Sequence, residues 1–233
     1  MKLGIMQPYF FPYLGYFDLI NYSNRWIIFD TVQYIRHGWI NRNRILKPGG
    51  DWQYVSVPLK KHGREILIKD LEISTNQDWK IRLPAQLQHY KKKAPYFFET
   101  CQLVEECLAV EEHSVSRLNG AILEKVCHYL GIPFEYEYFS KMNLELEAVE
   151  DPGDWSLRIA DRLGAKEYVN PPGGAALFDS SKFNEIGVKL IIRHLPTLEY
   201  KCQGFDFIPN LSIIDVLMWN SPDKVKEYLD KNI

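Results

Sequence analysis

Apolar runs and amphipathic stretches alternate over the first thirty residues of the chain. Residues 2–6 form a short apolar run that ends at Gln7-Pro8, where proline stops strand pairing. Residues 16–20 then place apolar side chains at near-helical spacing, and Trp26 to Phe29 form a second apolar run. This β-α-β order predicts two parallel strands joined by a helix.

The rest of the chain predicts a helical section followed by a second strand, loop and helix. Residues 75–131 have mostly helical patterns, and Ser114 to Leu130 is a long amphipathic stretch. Glu167 to Val169 and Val188 to Arg193 are typical of short strands. We therefore expect residues 1–233 to form a single α/β domain on a mainly parallel, Rossmann-like or HUP-like sheet with flanking helices.

A small β-hairpin is predicted between residues 54 and 68. Tyr54 to Pro58 alternate in polarity, Ile66 to Ile68 cluster, and His62-Gly63 lies between them as a turn. We expect this hairpin to flank the functional site.

Composition narrows the possible partners. The net charge is −2, with 28 Lys and Arg against 30 Asp and Glu, so we expect no global attraction to nucleic acid or anionic membrane. Apolar runs such as residues 190–192 are too short to span a membrane, and the first residues do not resemble a secretion signal, which predicts a cytoplasmic protein. The four cysteines form no CxxC pair, and no metal site is predicted.

Three polar or glycine-containing segments follow predicted strands: residues 7–16, 30–44 and 170–179. In open parallel sheets, ligands bind at the carboxyl ends of the strands. We therefore expect the three segments to converge on one cleft.

Residues 7–17, the first segment with Phe17, combine two prolines with six aromatic rings near the start of a helix, which predicts a rigid wall for a sugar or base and free N–H groups for an anion. Phe10, Phe11 and Phe17 are expected in the core. The candidate ligand-binding residues are Gln7, Pro8, Gly15 and Tyr16, with Tyr13 as a catalytic candidate.

The second segment packs three arginines, a histidine and two amides into eleven residues. Arginine pairs bidentately with carboxylate or phosphate, so Arg36 and Arg42 are candidate anion ligands, whereas Arg44 is equally well an ordinary surface residue. His37 is a candidate general base, and Asp30 is either a catalytic residue or a helix cap. The further candidate ligand-binding residues here are Trp39 and Asn41.

The third segment contains Gly173 and Gly174, which allow the backbone to approach a ligand closely, although Pro-Pro-Gly-Gly is also an ordinary turn. Neither a GxGxxG fingerprint nor a P-loop is present.

Motifs between residues 4 and 222 resemble those of the WbqC-like family. They are GIMQPYFFPYLGYFDLI, DTVQYIRHGWINRNRI, APYF, LGAKEYVNPPGGAALFD and FIPNLSIIDVLMWNSP. The most distinctive positions are Gln7-Pro8, Pro12, Gly15-Tyr16, Arg36, Trp39, Asn41-Arg42, Gly173-Gly174 and Asp215.

The resemblance implies a bacterial setting among genes for O-antigen, lipopolysaccharide, capsule or other decorated sugars. There it implies a transferase that attaches an acyl or aminoacyl group to a nucleotide-linked amino sugar. The cofactor is not identified: an acyl or aminoacyl donor and ATP are the candidates. A homodimer through a paired helix or a sheet edge is a further expectation.

Two other functions stay open. Residues 13–16 stand where HUP-fold nucleotidylyltransferases carry a histidine-glycine-histidine signature, which implies an ATP-using enzyme. The tyrosines here remove the cations that would stabilise phosphate charge. The other alternative is a non-catalytic protein that binds a sugar nucleotide for a biosynthetic enzyme.

Overall fold

The computed structural model describes residues 1–76 and 78–233. Within them lie seven strands in two sheets. The strands are β1 Lys2–Met6, β2 Arg25–Ile28, β3 Arg42–Leu46, β4 Trp52–Ser56, β5 Tyr136–Tyr138, β6 Glu167–Asn170 and β7 Lys189–Ile192.

Helices flank the strands. The α-helices are α1 Leu14–Tyr22, α2 Trp79–Gln86, α3 Phe97–Leu108, α4 Val115–Leu130, α5 Asp154–Arg162, α6 Ser180–Glu185, α7 Ile213–Trp219 and α8 Pro222–Lys231. Short 3₁₀ helices occupy Ile68–Asp70, Gln88–Tyr90, Phe139–Lys141 and Pro172–Leu177.

The main sheet has the order β5-β2-β1-β6-β7, and every neighbouring pair is parallel. The chain runs from β1 through α1 to β2 on one side, whereas β6 pairs with β1 on the other. The strand order therefore reverses between β1 and β6, and this is the point where open α/β sheets bind ligands.

Alternate residues of the central strands enter two cores, as the period of two in a strand requires. Leu3, Ile5 and Ile27 lie in one core with side chains of α5 and α6. Trp26 and Ile28 lie in the larger core on the opposite face, together with side chains of α1, α3, α4, α7 and α8.

The predicted α/β fold class is confirmed, with a five-stranded parallel sheet, flanking helices and a small antiparallel hairpin. The helical middle section is present as α2, α3 and α4. Ser114 caps α4 by accepting a hydrogen bond from the Arg117 N–H, and Gly131 ends it at φ +67°. The predicted section 75–131 includes Gln77, which lies outside the described residues.

The predicted pairing of the hairpin was wrong. β4 pairs with β3, from Arg42 opposite Ser56 to Leu46 opposite Trp52. The turn between them uses Gly49 and Gly50 at φ +89° and +96°, which only glycine adopts readily. Residues 66–68 instead make an isolated bridge and enter a 3₁₀ helix, because the two glycines provide the better hairpin turn.

Candidate functional site

A cavity of about 200 Å³ lies at the carboxyl end of the main sheet, where the strand order reverses. Its walls are the first turn of α1 at residues 13–15, the loop after β6 at residues 171–172, and residues 193–198 after β7. Two of the three predicted segments, those after β1 and β6, therefore meet here. We call this space the switch-point cavity.

A second cavity, of about 260 Å³, adjoins the first. We call it the Arg44 cavity. It is lined by Tyr9, Tyr13, Trp39, Asn43, Arg44 and Asn210. Tyr13 and Asn210 line both cavities, so the two spaces share a wall.

The loop after β1 is held by side chains from distant parts of the chain. The Asn43 amide donates to the Phe10 and Phe11 carbonyls at 3.1 and 3.0 Å, and the Ser212 hydroxyl donates to the Phe11 carbonyl at 2.8 Å. Asn43 and Ser212 are both buried. These bonds hold Phe11 at φ +40°, a conformation that a non-glycine residue rarely adopts.

Asn119 of α4 holds the start of the same loop. Its amide nitrogen donates to the Pro8 carbonyl at 2.8 Å and to the Ile40 carbonyl at 2.7 Å, and the side chain is fully buried. A single amide therefore links the loop after β1 to the end of the segment after β2. Buried amides that satisfy carbonyls in this way make a loop rigid.

The first turn of α1 opens into the switch-point cavity. Tyr13 is its N-cap residue, and no side chain caps the helix. The Gly15 N–H has no partner inside the helix, so it is available to an anion, whereas the antiparallel bridge between Tyr13 and Ser212 engages the Leu14 N–H. The Tyr13 ring lies over Gly15, since a Cβ added there would be 2.5 Å from a ring carbon.

The Tyr13 hydroxyl is a neutral group in the wall of both cavities. Burial raises the pKa of Tyr13, and the nearby Tyr9 and Asp18 raise it further. At neutral pH this hydroxyl therefore stays protonated and is able to donate a hydrogen bond to a ligand.

A buried ion pair joins two walls of the switch-point cavity. Arg193, just after β7, binds Asp18 of α1 bidentately, with N–O distances of 2.6 and 2.7 Å. Burial raises the pKa of the Asp18 carboxyl, while the hydrogen bond and charge of Arg193 oppose that effect. The pair fixes the start of the 193–198 wall against α1.

A second buried acid holds the same wall further along. Asp215 accepts from the Tyr90 hydroxyl at 2.5 Å and from the Tyr200 hydroxyl at 2.9 Å, and the Leu46 N–H donates to Tyr90. Burial raises the pKa of Asp215 to about 6, although the two tyrosine hydrogen bonds lower it. Because Tyr200 lines the switch-point cavity, Asp215 positions that wall.

Of the residues predicted in the first segment, Tyr13 and Gly15 line the switch-point cavity. Tyr16 is fully buried, and its hydroxyl donates to the Gln7 carbonyl at 2.9 Å. Pro8 is buried and presents its carbonyl to Asn119.

Asp30, at the end of β2, is buried and bonded within the protein. Its carboxylate accepts from the Ser140 N–H at 3.0 Å and from the Ser140 hydroxyl at 2.7 Å. These bonds fasten β2 to the 3₁₀ helix that follows β5.

Within the second segment, Arg36 and His37 are exposed and lie outside the lining of both cavities. Arg42 donates to the Gly38 carbonyl at 3.3 Å and to the His37 carbonyl at 2.5 Å. Its guanidinium also lies 4.0 Å from the ring centroid of Tyr54. Arg42 therefore already has partners inside the hairpin.

Asn41 and Trp39 have different roles. The Asn41 side chain accepts from the Tyr34 hydroxyl at 2.8 Å and donates to the Val57 carbonyl at 3.1 Å. Trp39 lines the Arg44 cavity.

In the third segment, the prolines line the switch-point cavity, and the glycines start a 3₁₀ helix. Gly173 is exposed, with open space around its Cα. Gly174 lies against Asn170, since an added Cβ would be 2.3 Å from the Asn170 side-chain oxygen.

Sequence reasoning missed Arg44, His194, Tyr200 and Asn210 as cavity residues. The signal for Arg44 was the strict alternation along β3, which places it beside aromatic residues of β4. The other three lie in residues 193–212, which contain neither a helix nor a strand, so periodicity could not place them.

No helix in residues 1–76 and 78–233 is both long and apolar enough to cross a membrane. Within the same part of the chain, the His, Cys, Asp and Glu side chains form no group of three or more that could hold a metal ion.

A sequence profile of the WbqC-like protein family matches residues 7–227. An uncharacterized protein of Mycobacterium tuberculosis (strain ATCC 25618 / H37Rv), Rv1507c, is 29% identical over 231 residues, which cover 98% of this chain and 97% of the relative. No solved structure matches the chain. The family match includes the loop after β1, the hairpin and the wall formed by residues 193–198. The chain belongs to the WbqC-like protein family.

Proposed function

We propose that this protein is a transferase of surface-polysaccharide or amino-sugar biosynthesis that attaches an acyl or aminoacyl group to a nucleotide-linked amino sugar. Membership of the WbqC-like family suggests a role in polysaccharide or sugar biosynthesis. The observation that carries the proposal is the switch-point cavity, which lies where α/β sheets bind nucleotides and opens onto an uncapped helix N-terminus.

The walls of the cavity suit a phosphorylated sugar. The Gly15 N–H and the neutral Tyr13 hydroxyl are donors for a diphosphate. Leu195, Leu198 and the two prolines supply apolar surface for a sugar or base, whose non-polar face packs on such side chains.

The chemistry is nucleophilic attack by the amine on the donor. The sugar nitrogen forms a bond to the acyl carbon, the bond from that carbon to its leaving group breaks, and the nitrogen releases a proton. His194 lines the cavity and is exposed, so we assign it as the candidate base, since an imidazole accepts protons near neutral pH. Tyr13 is the sequence-predicted catalytic candidate that lines this cavity, and we assign it hydrogen-bond donation to the ligand.

A second candidate is an ATP-using nucleotidylyltransferase of the HUP type. The observation that favours it is the entry of the loop after β1 into α1, at the centre of a parallel sheet. Only Tyr13 of the two tyrosines reaches the cavity, because the Tyr16 hydroxyl bonds the Gln7 carbonyl in the core. The first turn of α1 therefore supplies one hydroxyl and no cation to a triphosphate.

Thermal-shift and calorimetric titrations with nucleotide-linked amino sugars, acyl-CoA thioesters and ATP test the proposal. The key variant is Gly15→Ala. Alanine is favoured over glycine in a helix by up to about 1 kcal/mol, so the fold should be retained. The new Cβ would displace the Tyr13 ring into the ligand space, and we expect affinity for the sugar nucleotide to fall by at least about tenfold.

Gly63→Ala is the matched control, because Gly63 is exposed in open space far along the chain from both cavities. Gly173→Ala tests whether the ligand also approaches the loop after β6, since its Cβ meets no protein atom. Stabilisation by ATP alone favours the nucleotidylyltransferase. Binding of an amino-sugar nucleotide without turnover with any donor favours a binding protein, and no stabilisation by any of these ligands contradicts the proposal.

A further inference from the structure

Arg44 has an unusual environment for a guanidinium. Its guanidinium carbon, Cζ, lies over two indole rings, 5.3 Å from the ring centroid of Trp39 and 5.2 Å from that of Trp52. Its Nε atom is buried and has no hydrogen-bond partner. Among the ion pairs of residues 1–76 and 78–233, none includes Arg44. The guanidinium therefore has neither a hydrogen-bond acceptor at Nε nor an acidic partner within these residues.

Arg42 shows that this environment is not a general property of β3. It lies two residues earlier on the same strand, and its guanidinium donates to the carbonyls of Gly38 and His37. Arg44 is left free while its neighbour is satisfied. The hairpin therefore provides one structural arginine and one available arginine.

The rest of the lining adds hydrogen-bond donors and no carboxylate. Burial raises the pKa of both Tyr9 and Tyr13, so their hydroxyls are neutral at physiological pH. The Asn43 side chain is already bonded to the loop after β1 and to the Arg44 N–H, while Asn210 lies on the shared wall. One positive charge surrounded by aromatic faces and neutral donors favours an anion.

The size and position of the cavity restrict its ligand. A volume of 260 Å³ holds roughly nine water molecules, which is enough for a small anionic group or a compact acid. The shared wall of Tyr13 and Asn210 places such a group next to a ligand in the switch-point cavity. A transfer reaction requires this proximity of two substrates.

We propose that the Arg44 cavity is the donor subsite, in which Arg44 binds a carboxylate or phosphate of the acyl or aminoacyl donor. Its role as a donor subsite rests on the function proposed above, whereas anion binding by Arg44 does not. Trp39 and Trp52 hold the guanidinium in place, and the anion binds its terminal N–H groups.

The test is a titration of the protein with sodium malonate and, separately, with inorganic phosphate, followed through the indole N–H signals of the six tryptophans in ¹H–¹⁵N spectra. Trp→Phe variants assign the signals. We expect saturable shifts of the Trp39 and Trp52 signals, with malonate and phosphate distinguishing a carboxylate site from a phosphate site.

Arg44→Gln should weaken this binding by at least about tenfold, and Arg44→Lys, which keeps the charge but not the planar fork, should weaken it less. Arg82→Gln is the charge-matched control, because Arg82 is exposed on α2. Circular dichroism confirms that each variant is folded. Absence of saturable shifts at Trp39 and Trp52, or equal binding by the Arg44→Gln variant, overturns the proposal.

A second titration separates this proposal from the function proposed above. The nucleotide-linked amino sugar that binds best is added to saturation before malonate or phosphate. Anion affinity within about threefold of its original value indicates two subsites, whereas direct competition places both ligands in one site and overturns the donor assignment. Anion binding in the absence of any sugar-nucleotide binding retains the Arg44 site and rejects the transferase.

Discussion

The loop after β1 and the segment after β2 were both predicted to bind the ligand, but they differ in hydrogen bonding and in exposure to solvent. In the loop, residues 7–13, backbone carbonyls accept hydrogen bonds from buried side chains of β3 and α4, and the chain leads into the cavity. In the segment, residues 30–44, Ile35 to His37 are exposed, whereas Trp39, Asn43 and Arg44 line the Arg44 cavity. A high density of polar residues alone therefore does not show which side chains line a cavity.

The largest effect on stability is expected at the ion pair between Arg193 and Asp18 of α1. Arg193→Met leaves the buried Asp18 carboxylate without its partner, and we expect the free energy of unfolding to fall by about 3–5 kcal/mol. Urea unfolding at neutral pH measures it. The double variant Asp18→Asn/Arg193→Met should recover part of the loss. A loss below about 1 kcal/mol for the single variant would show that the ion pair does not anchor the helix.

The free energy of unfolding should depend on pH through Asp215, which accepts a hydrogen bond from Tyr200 in the wall of the switch-point cavity. Because burial raises the pKa of Asp215 to about 6, the folded state holds this proton more tightly than the unfolded state does. Its contribution to stability is therefore present near pH 4 and is lost as the pH rises through 6.

Relative to Asp215→Asn, which does not titrate, the wild-type free energy of unfolding should fall by roughly 2 kcal/mol between pH 4 and pH 7. Urea unfolding of both proteins at several pH values measures the difference. A difference that is constant or rises with pH contradicts the assignment.

The Asn119 side chain links the loop after β1 to the segment after β2, and its replacement breaks that link. Asn119→Ala removes hydrogen bonds to the carbonyls of Pro8 and Ile40, and we expect a loss of about 2–3 kcal/mol. Asn119→Asp keeps the shape but sets a carboxylate against two carbonyls, so it should cost at least as much. If Asn119→Asp is as stable as the wild type in urea unfolding, the amide is not the anchor.

The smallest effects on stability are expected at Arg36 and His37, in the exposed part of the segment after β2. Arg36→Ala should change the free energy of unfolding by less than about 0.5 kcal/mol. His37→Gly should be neutral or should stabilise by up to about 1 kcal/mol, because His37 has φ +66°, which glycine adopts without strain. Thermal unfolding measures both, and a loss above about 1 kcal/mol in either would show that this turn is structurally important.

The strands and the long helices could be predicted because burial imposes a period. The apolar run at residues 2–6 became β1 with the same bounds, and the Ser114 cap and Gly131 stop set both ends of α4. The hairpin could not be paired correctly, because Arg42 and Arg44 gave β3 a charged appearance. Their alternation with the buried Asn43 and Ile45 carried the strand signal.

The candidate site was predictable only in part. The rule that loops gather at strand ends brought the segments after β1 and β6 together, and it identified Tyr13 and Gly15 as cavity residues. The aromatic surroundings of Arg44 include Trp52 of β4, and therefore depend on the pairing of β3 with β4. The wall at residues 193–198 depends on ion pairs and hydrogen bonds between residues far apart in sequence.

The most direct measurement is hydrogen–deuterium exchange with and without a saturating nucleotide-linked amino sugar. The Gly15 N–H has no intrahelical partner, so a bound phosphate should slow its exchange strongly. We predict protection of residues 13–16 and 193–200, with no change at residues 35–38. Protection confined to residues 35–38, with residues 13–16 unchanged, would contradict it.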